Sequence, residues 1–257
     1  MPDQNSHEAS ESSSVSNLKQ EKARSESAWT EAWNTGIGAA KSNLLPGLAL
    51  WLFGTVLIAG YFLNEAVREL LNSVGDFKES YGWKFSLIST AIFGGLIPEI
   101  IAWCSKSSRK GGGVVVAGTL LWAYKGVEID FFYQLQAWLF GDQADLITIL
   151  AKTICDQFVM VPAFGLVNVV LFYAWRDCGY SLRRMLKTLT KGWYQRMVLP
   201  VLIANWAIWI PAVALIYSLP LALQLPVQNL ILCFWVLILM FFTRPKEQTH
   251  ADQPQIS

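Results

Sequence analysis

The chain has 257 residues, 53% of them hydrophobic and only 15% charged, where an average soluble domain carries roughly a quarter charged residues. The formal charge of +1 hides an uneven distribution: the ionisable groups gather in the tails and connecting stretches, and the apolar runs hold few of them. This composition excludes an ordinary water-soluble domain, and the lack of a basic patch interleaved with aromatics speaks against nucleic acid as a partner.

Residues 1–41 are polar and Ser-rich and read as a disordered tail. A secretory signal needs a basic start followed at once by a short apolar stretch, and a transit peptide is poor in acids. Neither description suits a segment holding Asp3, Glu8, Glu11, Glu21, Glu26 and Glu31. At the end of this segment Trp29, Trp33 and Ile37 recur at helical spacing, the pattern of a short amphipathic helix lying on a membrane surface. At the far end of the chain, Gln-Ile-Ser is no peroxisomal address.

Six apolar segments follow: Leu44–Leu63, Phe85–Cys104, Val114–Phe140, Cys155–Trp175, Met197–Leu219 and Ala222–Phe242. About 20 mostly apolar residues are needed to cross a hydrocarbon core of ~30 Å as a helix, and Leu44–Leu63 holds no charged side chain. The expected fold is all-α, a polytopic helical membrane bundle with about six hydrophobic segments, four to six of them true spans. Glu65 to Leu71 extends the first helix into water. The third segment carries Lys125, Glu128 and Asp130 near its middle, so it either faces a polar interior or enters the bilayer in part.

With six spans, fifteen of the twenty Lys and Arg side chains fall on the side of both termini. The other side holds Arg68, Lys78, Lys84 and Lys152, and Lys125 lies within a span. By the positive-inside rule both termini face the cytoplasm, or the equivalent face of an organelle; a bacterial inner membrane and an organelle membrane fit equally. Trp83, Trp103, Trp138, Trp175 and Trp193 fall near segment ends, where indole rings settle at the headgroups. Gly111–Gly113 after Lys110 reads as a flexible turn and not a phosphate-binding loop, since no Lys-Ser/Thr pair follows the glycines.

Catalytic patterns are missing. The two histidines, His7 and His250, lie in the polar tails, so Ser-His and Cys-His pairs and His-ligated metals lack their central residue in the membrane region. Cys104, Cys155, Cys178 and Cys233 have no paired metal-ligand spacing and read as free thiols. The sequence therefore suggests neither an enzyme nor a cofactor.

What stands out is polarity inside apolar surroundings: Glu99, Lys125, Glu128, Asp130, Asp156, Gln157, Asn168, Asn205 and Asn229. A charge at mid-bilayer costs about 2.5 kcal/mol or more, so these groups face the bundle interior, water or each other. Lys125 with Glu128 and Lys152 with Asp156 have pairing distances along a helix. Such pairs either fix helix packing or line a solvated pathway. Pro98, Pro162, Pro200 and Pro211 interrupt the segments, each removing an amide donor and freeing an upstream carbonyl.

The run Lys152-Thr-Ile-Cys-Asp-Gln-Phe-Val-Met-Val-Pro162 has the spacing Lys-x3-Asp-Gln-x4-Pro and resembles the signature of the 22-kilodalton peroxisomal membrane protein family, which also has mitochondrial inner-membrane members. Two further stretches are similar and fall in the family's order. Gly126 to Tyr133 resembles a Gly-Pro-x2-His-x-Trp-Tyr block, with Val127 and Asp130 replacing proline and histidine. Leu199-Pro200 to Ile210-Pro211 keeps the spacing of two prolines in a third block, with Leu199 and Ile203 at its tryptophan and glutamine positions. The residues carried over are Gly126, Tyr133, Lys152, Asp156, Gln157, Pro162, Pro200 and Pro211.

The resemblance covers 85–242, leaving 42–84 as an added transmembrane helix with an amphipathic connection and 243–257 as a polar tail. It implies a poorly selective channel for small solutes, or a structural protein supporting organelle homeostasis. Expected partners are the lipid bilayer, small polar solutes and a second copy of the chain. Candidate residues along a pathway are Glu99, Lys125, Glu128, Asp130, Lys152, Asp156, Gln157 and Asn205. In the structural alternative, Arg183, Arg184, Lys187 and Lys191 dock a partner or anionic lipid.

Overall fold

The computed structural model describes residues 26–104 and 112–242, and these form helices with no strand among them. In chain order they are α1 (26–42), α2 (Leu44–Leu63), α3 (Glu65–Tyr81), α4 (Trp83–Thr90), α5 (Ile97–Cys104), α6 (Gly112–Phe140), α7 (Leu146–Cys155), α8 (Val167–Asp177), α9 (Leu182–Thr188), α10 (Leu199–Tyr217) and α11 (Leu221–Phe242). Widened π turns join α4 to α5 (Ala91–Leu96), join α7 towards α8 (Asp156–Gly165) and lead into α10 (Tyr194–Val198).

Five stretches are long and apolar enough to cross a bilayer: Leu44–Leu63, Trp83–Ile101, Leu146–Asp177, Tyr194–Tyr217 and Leu221–Leu239. The chain is thus an all-α, multi-pass integral membrane protein. Apolar side chains turned outward, among them Leu52, Val56, Leu120, Ile147 and Phe164, give the bundle a surface that suits lipid tails. Lipid is as apolar as leucine, so burial of oil from water does not hold these helices together. Close packing and buried hydrogen bonds do.

α6 is the sixth long helix, and its charges keep it out of that apolar set. At 29 residues it is roughly 43 Å long, and it runs antiparallel beside α4. Gly95 meets Thr119, Gly94 meets the Trp122 ring, and Gly126 lies on the Ser86 carbonyl and the Thr90 side chain. Small residues at these crossings let the two backbones approach. A Cβ on Gly126 would collide with the Ser86 carbonyl, which no rotamer can move.

One apolar core is shared by α2 (Leu50, Ile58, Tyr61), α10 (Ile208, Ala212, Ile216, Tyr217) and α11 (Leu223, Leu225, Val227, Ile231). The added helix of 42–84 therefore packs into the same core as the rest of the bundle, and the Trp51 indole donates to the Ile208 carbonyl at 2.8 Å.

Several boundaries differ from the sequence reading. α1 occupies 26–42, so that part of the tail is helical; residues 1–25 and 243–257 lie outside the described residues, as does Gly111. In α1 Trp29 and Trp33 face outward, whereas Ala32 and Ile37 pack on Leu199, Leu202 and Ile203 of α10. The chain does not run straight from the first span into water. Asn64 is extended (φ −125°, ψ 119°), and its side chain caps a separate helix by accepting from the Val67 amide at 3.1 Å. The fourth span starts at Leu146 and not at Cys155, because Asp145 caps it: its Oδ1 accepts from the Ile147 and Thr148 amides at 3.0 and 3.1 Å. Lys152 consequently sits inside a helix, 1% exposed, and not in an outer loop.

Trp83 opens α4, while Trp138 and Trp175 lie in the last turns of α6 and α8. Trp193 directly precedes the third π turn; the Trp103 and Cys104 side chains lie outside the described residues.

Candidate functional site

Two faces of α6 carry its charges. Residues 128 and 130 are two positions apart, about 200° around a helix turning 100° per residue, so their side chains leave on opposite sides.

On one side, Asp130 pairs with Lys78 of α3 at 2.9 Å and accepts from the Ser86 hydroxyl at 2.8 Å. Lys78, Ser86 and Asp130 are all buried. One turn further along α4, Thr90 donates to Asn229 Oδ1, and the Asn229 amide donates to Ser89, both at 2.9 Å. These groups close the seam between α3, α4, α6 and α11 with matched donors and acceptors.

On the other side lies a cavity of about 480 Å³ lined by α6, the second π turn, α8, α10 and α11. Its ionisable lining comprises Lys125, Glu128, Asp156, Tyr133 and Tyr173. Lys125 and Glu128 pair at 2.9 Å. The Asn168 amide donates to the other Glu128 oxygen at 2.7 Å, and the Lys125 ammonium donates to the Gly165 carbonyl at 2.9 Å. Gly165 ends the π turn, where the change of pitch leaves its carbonyl available.

Asp156 begins that turn and is partnered differently. Its Oδ2 accepts from the Tyr217 hydroxyl at 3.2 Å and, at a long 3.5 Å, from the Gln157 amide. Among the described residues it forms no ion pair. Gln157 is buried at its side, with the Asn205 amide 3.4 Å from its side-chain oxygen. Pro162 explains the local geometry. It lacks an N–H, so in a turn of i to i+5 bonds the Gln157 carbonyl loses its acceptor role within the helix. The Trp206 indole takes its place at 2.7 Å.

Behind the Asp156 wall of the cavity, Tyr217 of α10 joins α6 to the second π turn. The Gln136 amide donates to the Tyr217 hydroxyl at 2.6 Å, and that hydroxyl donates onward to Asp156. Lys152, outside the cavity lining, has its ammonium 5.9 Å from the centre of the Tyr217 ring. The expected pair of Lys152 with Asp156 is absent: the widened turn starts at Asp156, whose carboxylate meets the Tyr217 hydroxyl while the Lys152 ammonium lies over the Tyr217 ring. Outside the span, the Thr148 hydroxyl and then the neighbouring amides hold the Asp145 carboxyl below the usual carboxylate range.

The sequence-derived set is thus divided. Lys125, Glu128, Asp156, Gln157 and Asn205 line the cavity. Asp130 belongs to the closed seam behind α6, Lys152 stands over the Tyr217 ring outside the cavity lining, and Glu99 is half-buried on α5 and does not line the cavity. Of the motif residues, Gly126 makes the α4 crossing and Tyr133 lines the cavity, its hydroxyl donating to Gln228 at 3.2 Å. The Pro162 carbonyl accepts from the Tyr194 hydroxyl at 2.9 Å, Pro200 opens α10 after a π turn, and Pro211 lies within α10.

Sequence reasoning missed Tyr217, Gln136, Gln228 and Trp209. Gln136 had a signal, since it follows Tyr133 by three and Gly126 by ten positions and so shares their buried face. Among the described residues, no group of three or more His, Cys, Asp and Glu side chains is placed to hold a metal ion.

No family model matches the chain, and no curated protein and no solved structure is significantly similar to it.

Proposed function

We propose that this protein is channel-like, admitting small polar solutes to a pathway beside Lys125, Glu128, Asp156, Gln157 and Asn205. The observation that carries the reading is Asp156: a carboxylate in a span, on the wall of a 480 Å³ cavity, with neutral partners in place of a cation. A purely structural carboxylate is expected to be closed off by a counter-charge, as Asp130 is. In this reading α6 is a sixth span, both termini share the basic side, Tyr217 restrains Asp156 and so gates the pathway, and the protein performs no covalent chemistry. The resemblance to the 22-kilodalton peroxisomal membrane protein family points the same way.

The test is release of neutral solutes of graded size from liposomes holding the purified protein. Release with a size cutoff, faster in Tyr217→Ala than in wild type, is the expected result. Liposomes that stay tight with correctly inserted protein would overturn it.

A second reading is favoured by α9. Exposed Leu182 and Leu186 stand beside Arg183, Arg184 and Lys187, the arrangement of a short helix seated on an anionic membrane surface. If that contact is the protein's main role, sedimentation with anionic vesicles will depend on these basic residues while solute release is absent.

A further inference from the structure

The charge and wall chemistry of the cavity go further than a generic solute path, and they depend on the pathway reading only for the way the ligand enters. The lining carries one cation, Lys125, and two carboxylates, Glu128 and Asp156. Lys125 is committed to Glu128 at 2.9 Å and to the Gly165 carbonyl, so the pair is neutral and held in place. What remains is the single negative charge of Asp156. Its accepted hydrogen bonds both end on Oδ2, which leaves Oδ1 for a ligand.

The cavity that holds this charge has aromatic walls: Trp122, Phe132, Tyr133, Trp209 and Trp235. Ring faces attract cations, most strongly where water is excluded, and indole is the best of them. A hydrated inorganic ion gains little from such walls and needs several oxygen ligands, which Asp156 alone does not supply. An anion would meet the uncompensated carboxylate. A neutral solute would leave that charge buried without a counter-ion, which is unfavourable in a low-dielectric site. The volume suits a molecule of drug-fragment size.

We infer that this cavity binds a monovalent organic cation, an amine or quaternary ammonium with an apolar body, its positive centre at Asp156 and its body against Trp209 and Trp235.

The experiment uses the full chain in detergent and equilibrium dialysis with benzyltrimethylammonium as the cation and phenylacetate as an anion of similar bulk. The expected result is saturable binding of the cation at least about tenfold tighter than of the anion, a tenfold ratio being about 1.4 kcal/mol. Asp156→Asn should abolish that preference and Asp156→Glu should keep it. Equal binding of the two probes by wild type, or an unchanged preference in Asp156→Asn, would overturn the inference. If Asp156→Asn does not fold, the wild-type preference decides alone. Parallel release of neutral solutes from liposomes separates this inference from the pathway reading. Release without cation preference leaves the pathway and removes the cation site; cation binding with tight liposomes leaves the site and removes the pathway.

Discussion

Asp130 and Asp156 are both carboxylates in the interior of the bundle, yet they do different things. Asp130, 2% exposed, meets an ammonium and a hydroxyl in a seam between helices, whereas Asp156 meets two neutral donors on the wall of a cavity. The first arrangement uses charge to fix four helices. The second leaves charge unspent at a place a solute can occupy. Residue type and hydropathy are alike in the two cases, so the role of a buried polar group follows from its face of the helix and from what faces it.

The contrast is broken most severely at the closed seam. Removing one member of a buried ion pair strands the other, at a typical cost of about 3–5 kcal/mol. Lys78→Ala is therefore expected to lose most of its folded population in detergent, read as a large fall in unfolding temperature. Gly126→Val drives a side chain into the Ser86 carbonyl at the same seam. Overpacking of this kind costs about 1–3 kcal/mol, and the same unfolding assay should place it below Lys78→Ala.

At the cavity the effects on stability shrink while those on function grow. Tyr217→Phe removes the hydroxyl that links Gln136 to Asp156, a loss of about 1–3 kcal/mol as partners go unmatched, and it should speed solute release from liposomes. Asp156→Asn keeps the shape and gives up only the charge. Its unfolding temperature should stay near that of wild type while its preference for cations disappears.

The smallest effect is at the cap of α7. The Asp145 carboxyl is held below its ordinary value in the fold, so its ionised form is favoured by folding. Its contribution is present above the unfolded pKa and is lost as pH falls through the lower folded value. Hydrogen exchange at the Ile147 and Thr148 amides should accelerate only in that acidic range, and Asp145→Ala should remove the dependence.

The spans were legible in the sequence because lipid imposes a simple requirement, a long run of apolar residues, and five such runs form long apolar helices. The i to i+3 spacing of Lys125 and Glu128 was enough to anticipate their ion pair. Asp130 shares their apolar run, although its angle around the helix separates it from Glu128. Its partner Lys78 reads in the sequence as a loop charge, and nothing local brings position 78 to position 130. Lys152 and Asp156 have the right spacing for a regular helix, and the π turn that begins at Asp156 changes what each side chain meets. Pro162 signalled a disturbance there without specifying which neighbour, here Trp206, would take up the freed carbonyl. Tyr217, which links Gln136 to Asp156, reads in the sequence as an ordinary residue at a span terminus.

The most direct test of this division compares Asp156→Asn with Ser86→Ala, which removes a hydrogen bond to Asp130 while leaving its ion pair. Both are measured by release of benzyltrimethylammonium and phenylacetate from liposomes of matched protein content. The account predicts that Asp156→Asn slows release of the cation relative to the anion by about tenfold, in line with the loss of a single buried charge, and that Ser86→Ala releases both as wild type does. Equal behaviour of the two variants, or a shift in Ser86→Ala alone, would contradict it.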